Sequence, residues 1–452
     1  MNCGFKIITA DHLNGRITRL VTPPVSDHPV HPAMPRSELF RAAIAVLIGT
    51  ALLRLAGGVA LSSLGLYLKS LGSEGAEVAF VAAGYYIAEL MLAPVFGALS
   101  DRLGRKIFLV AAPLLGAVAL LLYPLSSSLL ILFLIRLIEG VSAGAAAPAT
   151  LGYLSDLTDG SKYRGRIMAF FEIATLFGLL IGGTVLGPRV WDAFHTSSYP
   201  ILAGLYLLGA VIFGFFLPDV GLRVQHRRKF GDYTRVLSSK RLLRFMPAWI
   251  AATGVIGLWL VHVQNQLYTG KNSSIPGQAL VGSLSGADIS LVLGTFGVVF
   301  LAGLYYGSRS TERRSTPMLY AGFGLLWLSI CMFVLNHPEW GLEFGFQIKL
   351  GLIDTYARGW FLLLLIGAFF QAGFTPVALA YLADISEDFP EDRGVVVGLY
   401  SIFLAGGNLI GGSLLGSFFV ERFNFDGIAL LTFLFTLVAF ASVTVIRRTS
   451  SD

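Results

Sequence analysis

Five ionisable side chains sit inside long apolar runs of this chain: Arg54, Glu89, Arg136, Glu139 and Glu172. A charge in hydrocarbon is expensive and must find a partner, so such residues mark ion pairs, proton carriers or substrate contacts by default. Arg136 and Glu139 are three residues apart and share one helix face, while Gly140 and Gly144 let a second helix approach closely. A carboxylate held there could load and release a proton, or the pair could be a permanent clamp between helices. Arg54 and Glu89 fall near the middle of the first two apolar runs and could form a second pair. Glu172 lies nearer an end of the fifth, where a gating contact is as reasonable as proton carriage. In the seventh run, His262, Asn265 and Gln266 share a face by their spacing and Gln264 points elsewhere. That face could bind polar groups of a substrate, or cap and bridge helices. Gln371 and Asn408 are lone polar residues suited to interhelical hydrogen bonds or to substrate contact.

No soluble-enzyme constellation accompanies these residues. The chain lacks G-x-x-x-x-G-K-[ST], H-E-x-x-H and a G-x-S-x-G elbow, and its two cysteines, Cys3 and Cys331, make no metal or disulfide framework. No enzyme activity, cofactor or metal is expected, and uphill work would have to draw on an ion gradient.

The elements that must hold these residues are membrane helices. Only 13% of the 452 residues are charged, about half the share of a soluble chain, and mean hydropathy is +0.72. Twelve runs are long enough to cross about 30 Å of hydrocarbon, near 41–68, 77–99, 107–126, 129–154, 165–187, 199–217, 246–268, 288–307, 317–336, 359–383, 394–418 and 428–446. Of the 33 Lys and Arg, 25 fall on one side of this map, six on the other and two within helices. The positive-inside rule then puts both termini in the cytoplasm of a multi-pass protein of the plasma or inner membrane. The net charge of +6 is spread between apolar runs rather than gathered into a patch, which argues for orientation in a bilayer and against nucleic acid. The expected organisation is a flexible tail at 1–37, a six-helix bundle at 38–218, a basic linker at 219–245, a second bundle at 246–448 and a short tail at 449–452. A monomer is expected.

An internal repeat supports the division. Pro148, Leu151, Tyr153, Leu154 and Asp156 recur 228 residues later as Pro376, Leu379, Tyr381, Leu382 and Asp384. After a one-residue insertion, Ile181-Gly182-Gly183 matches Ile410-Gly411-Gly412. Leu364, Gly367 and Ser401 take the places of Arg136, Glu139 and Glu172, so the architecture itself does not require the charges. Between the second and third runs lies Gly97-Ala-Leu-Ser-Asp101-Arg102-Leu-Gly104-Arg105-Lys106, whose charges stop both helices from sliding into lipid.

That decapeptide resembles the G-x-x-[SD]-D-R-x-G-R-[KR] loop between helices 2 and 3 of the major facilitator superfamily, and matches every defined position. Arg136 and Gly140 resemble the family's fourth-helix R-x-x-x-G. The resemblance covers nearly all of 38–448. It implies an all-α membrane protein of twelve helices in two pseudo-symmetric six-helix bundles, working by alternating access. It also implies that Gly97, Asp101, Arg102, Gly104, Arg105 and Lys106 form a conformational-switch loop, and that Arg136 takes part in proton transfer. In the fifth helix, Gly178-x-x-x-Gly182-Gly183 departs from the drug/proton antiporter pattern by placing glycine where proline belongs. The function expected is proton-coupled efflux of amphiphilic or drug-like small molecules. The alternatives are proton-coupled uptake of a small organic anion or sugar, or lipid translocation, and, in another class, a transport-inactive receptor or scaffold.

Overall fold

A computed structural model describes residues 35–73, 75–158, 161, 163–219, 235–269, 274–307, 315–342, 344–350, 353–389 and 393–449. With no water in the bilayer core, long apolar stretches can satisfy their backbone only within themselves, and the described residues accordingly form helices almost throughout. In chain order these are α1 (Arg36–Ser70), α2 (Gly75–Leu103), α3 (Arg105–Leu122), α4 (Leu129–Leu157), α5 (Arg164–Leu180, carried on through a π-helical turn at Ile181–Leu186 to Gly187–Phe194) and α6 (Ser198–Phe216). The second half supplies α7 (Lys240–Leu258, then a π-helical turn at Trp259–Val263 and Gln264–Leu267), α8 (Gly286–Gly307), α9 (Ser315–Asn336), α10 (Gly359–Ala372, followed by Phe374–Glu387), α11 (Arg393–Asn408, then Leu409–Leu414 and Leu415–Phe423) and α12 (Phe425–Thr449). The basic linker expected at 219–245 lies within the described residues only at 219 and from 235 onward, and its last residues, from Lys240, already belong to α7.

By length and composition alone, eleven described stretches can cross a membrane, because Ile173–Phe216 reads as one of 44 residues. At 1.5 Å per residue this is about twice a bilayer core. It turns back at His195, whose φ of 48° lies in the left-handed region. Tyr199 just beyond the turn stacks on Tyr123 at the end of α3, with ring centroids 4.7 Å apart. At the other end, the Tyr153 hydroxyl of α4 donates to Pro218 O past the end of α6 (2.9 Å). There are thus twelve crossings. Asn424, 229 residues later, makes the equivalent reversal between α11 and α12 with φ 52°.

Each half has its own apolar core. Leu64, Val81, Leu120, Leu132 and Tyr199 pack together in the first, and Leu258, Ile289, Leu328, Ile428 and Leu431 in the second. Large side chains such as Phe215, Met91 and Leu291 face outward, as a lipid-facing surface requires. The halves meet where α2 runs along α11 and the π-helical turn of α5 along α8. One face carries the start of α1, the α2–α3 loop and the end of α12; it is called the basic face below, and the other the far face.

At the far face between α9 and α10, two antiparallel strands, β1 (Gly345–Leu350) and β2 (Ile353–Arg358), pair with Gly345 opposite Arg358. Nearby, Asp426 at the start of α12 gathers Gln278 (2.9 Å), Asn336 (2.8 Å) and His337 (2.9 Å), and the other nitrogen of His337 meets Glu339 at 2.8 Å. The His337 ring also lies flat on Trp340, 4.8 Å away.

Candidate functional site

The α2–α3 loop is the tightest reversal at the basic face. Gly104 alone separates the two helices at φ 100°, a conformation open to glycine and strained for other residues. Beside it, Arg105 pairs with Asp101 (2.8 Å) and donates through Nε to Asp156 of α4 (2.6 Å), tying three helices together. The Arg105 guanidinium lies across Gly152, where any Cβ would overlap it. Gly97 faces Pro148 of α4, Lys106 is half-buried and Arg102 is exposed.

Between the halves lies a cavity of about 360 Å³. Its first-half wall carries Arg54 of α1, Glu89 of α2, and Arg136 and Glu139 of α4. Arg136 Nη1 donates to Glu139 Oε2 at 2.7 Å, with the two side chains only 2% and 4% exposed. The guanidinium sits over the Tyr85 ring at 4.6 Å, and Tyr123 donates its hydroxyl to the same Glu139 oxygen at 2.8 Å. Glu139 is ten residues into α4 from its far end, about 15 Å deep. This wall depends on close helix approach: a Cβ at Gly140 would overlap Tyr85 O, and Gly144 packs against Ala93 N and Glu89. Likewise Gly182 leaves no room before Leu55 O of α1, and Gly183 lies against Gly58.

The second-half wall is neutral. It offers Gln371, Thr375, Ser401 and Asn408 among apolar side chains such as Trp249, Ile256 and Leu404. Two buried oxygens on the cavity walls, Thr175 Oγ1 and Asn408 Oδ1, have no hydrogen-bond partner among the described residues. Thus Arg54, Glu89, Arg136, Glu139, Gln371 and Asn408 are brought to one cavity, whereas the side chain of Glu172 lies outside the described residues. Tyr85, Tyr206, Trp249 and Thr175 also line it and were not singled out from sequence. Tyr85, one turn before Glu89, had a signal in its spacing; Tyr206 and Trp249 come from other helices and had none.

The polar end of α7 lies elsewhere, in a seal at the far face. Gln264 accepts from the Ser62 hydroxyl and donates to Gly183 O (2.7 Å), and Asn265 Nδ2 reaches Gly65 O at 3.5 Å. Lys69 donates to Asn265 O and Tyr268 O, and the Tyr268 hydroxyl donates to Asp192 at 2.7 Å. His262 meets Gly412 O of its own half at 2.7 Å, and Gln266 is buried. The π-helical turn at Trp259–Val263 adds a residue to the helical repeat, which shifts the faces on which His262 and the residues after it fall. Gln264 and Asn265 both turn to the first half. Far-face closure over a cavity is one end-state of a two-state transport cycle.

The sequence profile of the Major Facilitator Superfamily matches residues 46–342 and 272–452. The chain belongs to that superfamily. Quinolone resistance protein NorA of Staphylococcus aureus (strain MSSA476) is 22% identical over 371 residues, covering 80% of this chain and 86% of the relative. Multidrug resistance protein 2 of Bacillus subtilis (strain 168) is 22% identical over 364 residues, covering 78% and 82%. Among solved structures, the nucleoside transporter NupG superposes with a TM-score of 0.65 at 14% identity, covering 90% of this chain and 98% of that one. The human organic anion transporter MFSD10 gives 0.61 at 19% identity, covering 89% and 99%. At these identities the structural likeness carries the fold: twelve helices in two halves, in a multi-pass membrane transporter of the Major Facilitator Superfamily.

Proposed function

We propose that this transporter exports amphiphilic, drug-like compounds in exchange for protons, with the basic face and both termini in the cytoplasm of the plasma or inner membrane, and as a monomer. The observation that carries the reading is the buried Arg136–Glu139 pair in the wall of a largely apolar cavity. Apolar walls suit amphiphilic cargo of varied shape, and a carboxylate there offers a proton site facing the same space. The efflux direction follows the curated relatives named for drug resistance. Arg54 and Arg136 also favour a second reading, uptake of a small organic anion.

Proteoliposomes with an imposed pH gradient and a panel of fluorescent cations and anions decide between them. Glu139→Gln is expected to abolish gradient-driven accumulation while leaving substrate exchange intact, because a permanently neutral side chain mimics the loaded form. Unchanged uphill transport in Glu139→Gln would leave the pair as a structural clamp. Accumulation of anions alone would favour uptake.

A further inference from the structure

Glu139 faces two ways. Its carboxylate belongs to the cavity wall, and the oxygen that holds Arg136 also accepts the hydroxyl of Tyr123, which is not a lining residue. Behind Tyr123 the first bundle holds a column of phenols. Tyr199 stacks on Tyr123, Tyr67 packs edge-on against Tyr199 at 6.4 Å, and the Tyr67 hydroxyl donates to Ser126 O at 3.2 Å in the α3–α4 connection at the far face. Tyr199 is fully buried, yet its hydroxyl has no partner among the described residues. Leaving such a group unsatisfied costs about 1–3 kcal/mol, and a bound water is the usual remedy.

We propose that Tyr67, Tyr199 and Tyr123, completed by water at the Tyr199 hydroxyl, form a proton route from the far face to Glu139 through the interior of the first bundle. The proposal rests on the proton-exchange reading above. Each hydroxyl both donates and accepts. Tyr67, whose O–H points outward to Ser126 O at rest, takes a proton from far-face water and turns its own proton inward, and the charge advances as each group hands one on and takes one. Tyr123 gives its proton to the Glu139 carboxylate and regains one from the water beside Tyr199, which is refilled from the Tyr67 end. Every phenol ends neutral, and one proton has reached Glu139. Packed aromatic walls admit this transfer but no organic cargo. Protons therefore have access from the far face while the seal keeps the cavity shut there. The groups around the acceptor come from every neighbouring helix: Arg136 on α4, Tyr85, Tyr86 and Glu89 on α2, Arg54 on α1, Tyr123 at the end of α3, and Tyr199 and Tyr206 on α6.

The test is a pH jump applied at the far face of full-length protein in proteoliposomes, with no substrate present. Protonation of Glu139 is followed by the infrared carboxylic-acid band that Glu139→Gln deletes. Tyr199→Phe keeps the ring stack and removes only the hydroxyl. It is expected to slow the band's appearance about tenfold, short of the hundredfold or more of a positioned proton-transfer group because water fills part of the gap. The midpoint should stay unchanged, since Tyr199 does not touch the carboxylate. Tyr67→Phe should slow it similarly. Wild-type rates in both variants would overturn the route. If Glu139→Gln uncouples transport but both phenylalanine variants are normal, the route fails and the exchange reading stands. If Glu139→Gln stays coupled, the reading itself fails.

Discussion

Single side chains divide here between those that hold and those that can change charge. Of the Arg136–Glu139 pair, the arginine is the costly member to lose: Arg136→Ala leaves a buried carboxylate without its cation, a change of about 3–5 kcal/mol in buried pairs. Purified Arg136→Ala should show a lower thermal midpoint than Arg136→Ala/Glu139→Gln, measured by tryptophan fluorescence on heating. A second charge centre lies outside the bilayer core. Burial alone would lower the His337 pKa, but its bonds to Asp426 and Glu339 outweigh that and hold it above the ordinary 6.5. A raised folded pKa gives stability that is complete below pH 6.5 and fades as pH climbs through the folded value. Glu339, lowered by the same contact, sets the acid limit from the other side. The wild type should therefore lose thermal stability as pH rises above 6.5 and through the raised folded value, where the imidazole discharges. His337→Gln should flatten that slope; a slope equal to wild type would show that the cluster does not titrate.

At the scale of helices and loops, the crossings, the repeat and the Gly97–Lys106 loop were legible because each is written in consecutive residues: apolar length, period and charge. Glycines were legible as close approaches, but not the partners they approach. Gly140→Val should force α2 from α4, since its Cβ would overlap Tyr85 O, whereas Gly204→Ala, with open space around it, should be silent. Overpacking costs about 1–3 kcal/mol or more, so size-exclusion profiles in mild detergent should separate the two, and a monodisperse Gly140→Val would contradict the packing. What escaped the sequence has physical causes. The placing of Gln264 depends on a π-helical turn, which periodicity of 3.6 cannot register. The β1–β2 pair had a signal, Phe346, Ile348 and Leu350 alternating with Gln347 and Lys349, that a map of helices passed over. The tyrosine column joins α1, α3 and α6 through contacts of high sequence separation, which no local pattern announces.

For the whole molecule, the seal sets the balance between its two end-states. Interhelical hydrogen bonds in membranes average about 0.6 kcal/mol, so the handful crossing between halves at the far face hold it shut by only a few. A transport cycle can break that. Gln264→Ala removes two of them, those to Ser62 and Gly183. About 1.2 kcal/mol on this scale favours the far-open state roughly eightfold. With Cys3 and Cys331 replaced by Ser, a Leu61→Cys probe on the cavity wall should react with an impermeant reagent from the far side correspondingly faster. An unchanged rate would place the barrier elsewhere. The depth of Glu139 carries a separate consequence, for the membrane's electric field. A carboxylate about 15 Å from one face of a 30 Å core lies near the middle of the potential drop. On the proposed route, a proton arriving from outside falls through about half of it. At roughly 2.3 kcal/mol per charge per 100 mV, an interior-negative potential of that size strengthens proton loading by about 1 kcal/mol, close to one pH unit. Voltage alone, with no difference in pH across the bilayer, should then charge the carrier, and the loading step should appear as a transient current in Tyr199-intact protein before any cargo moves.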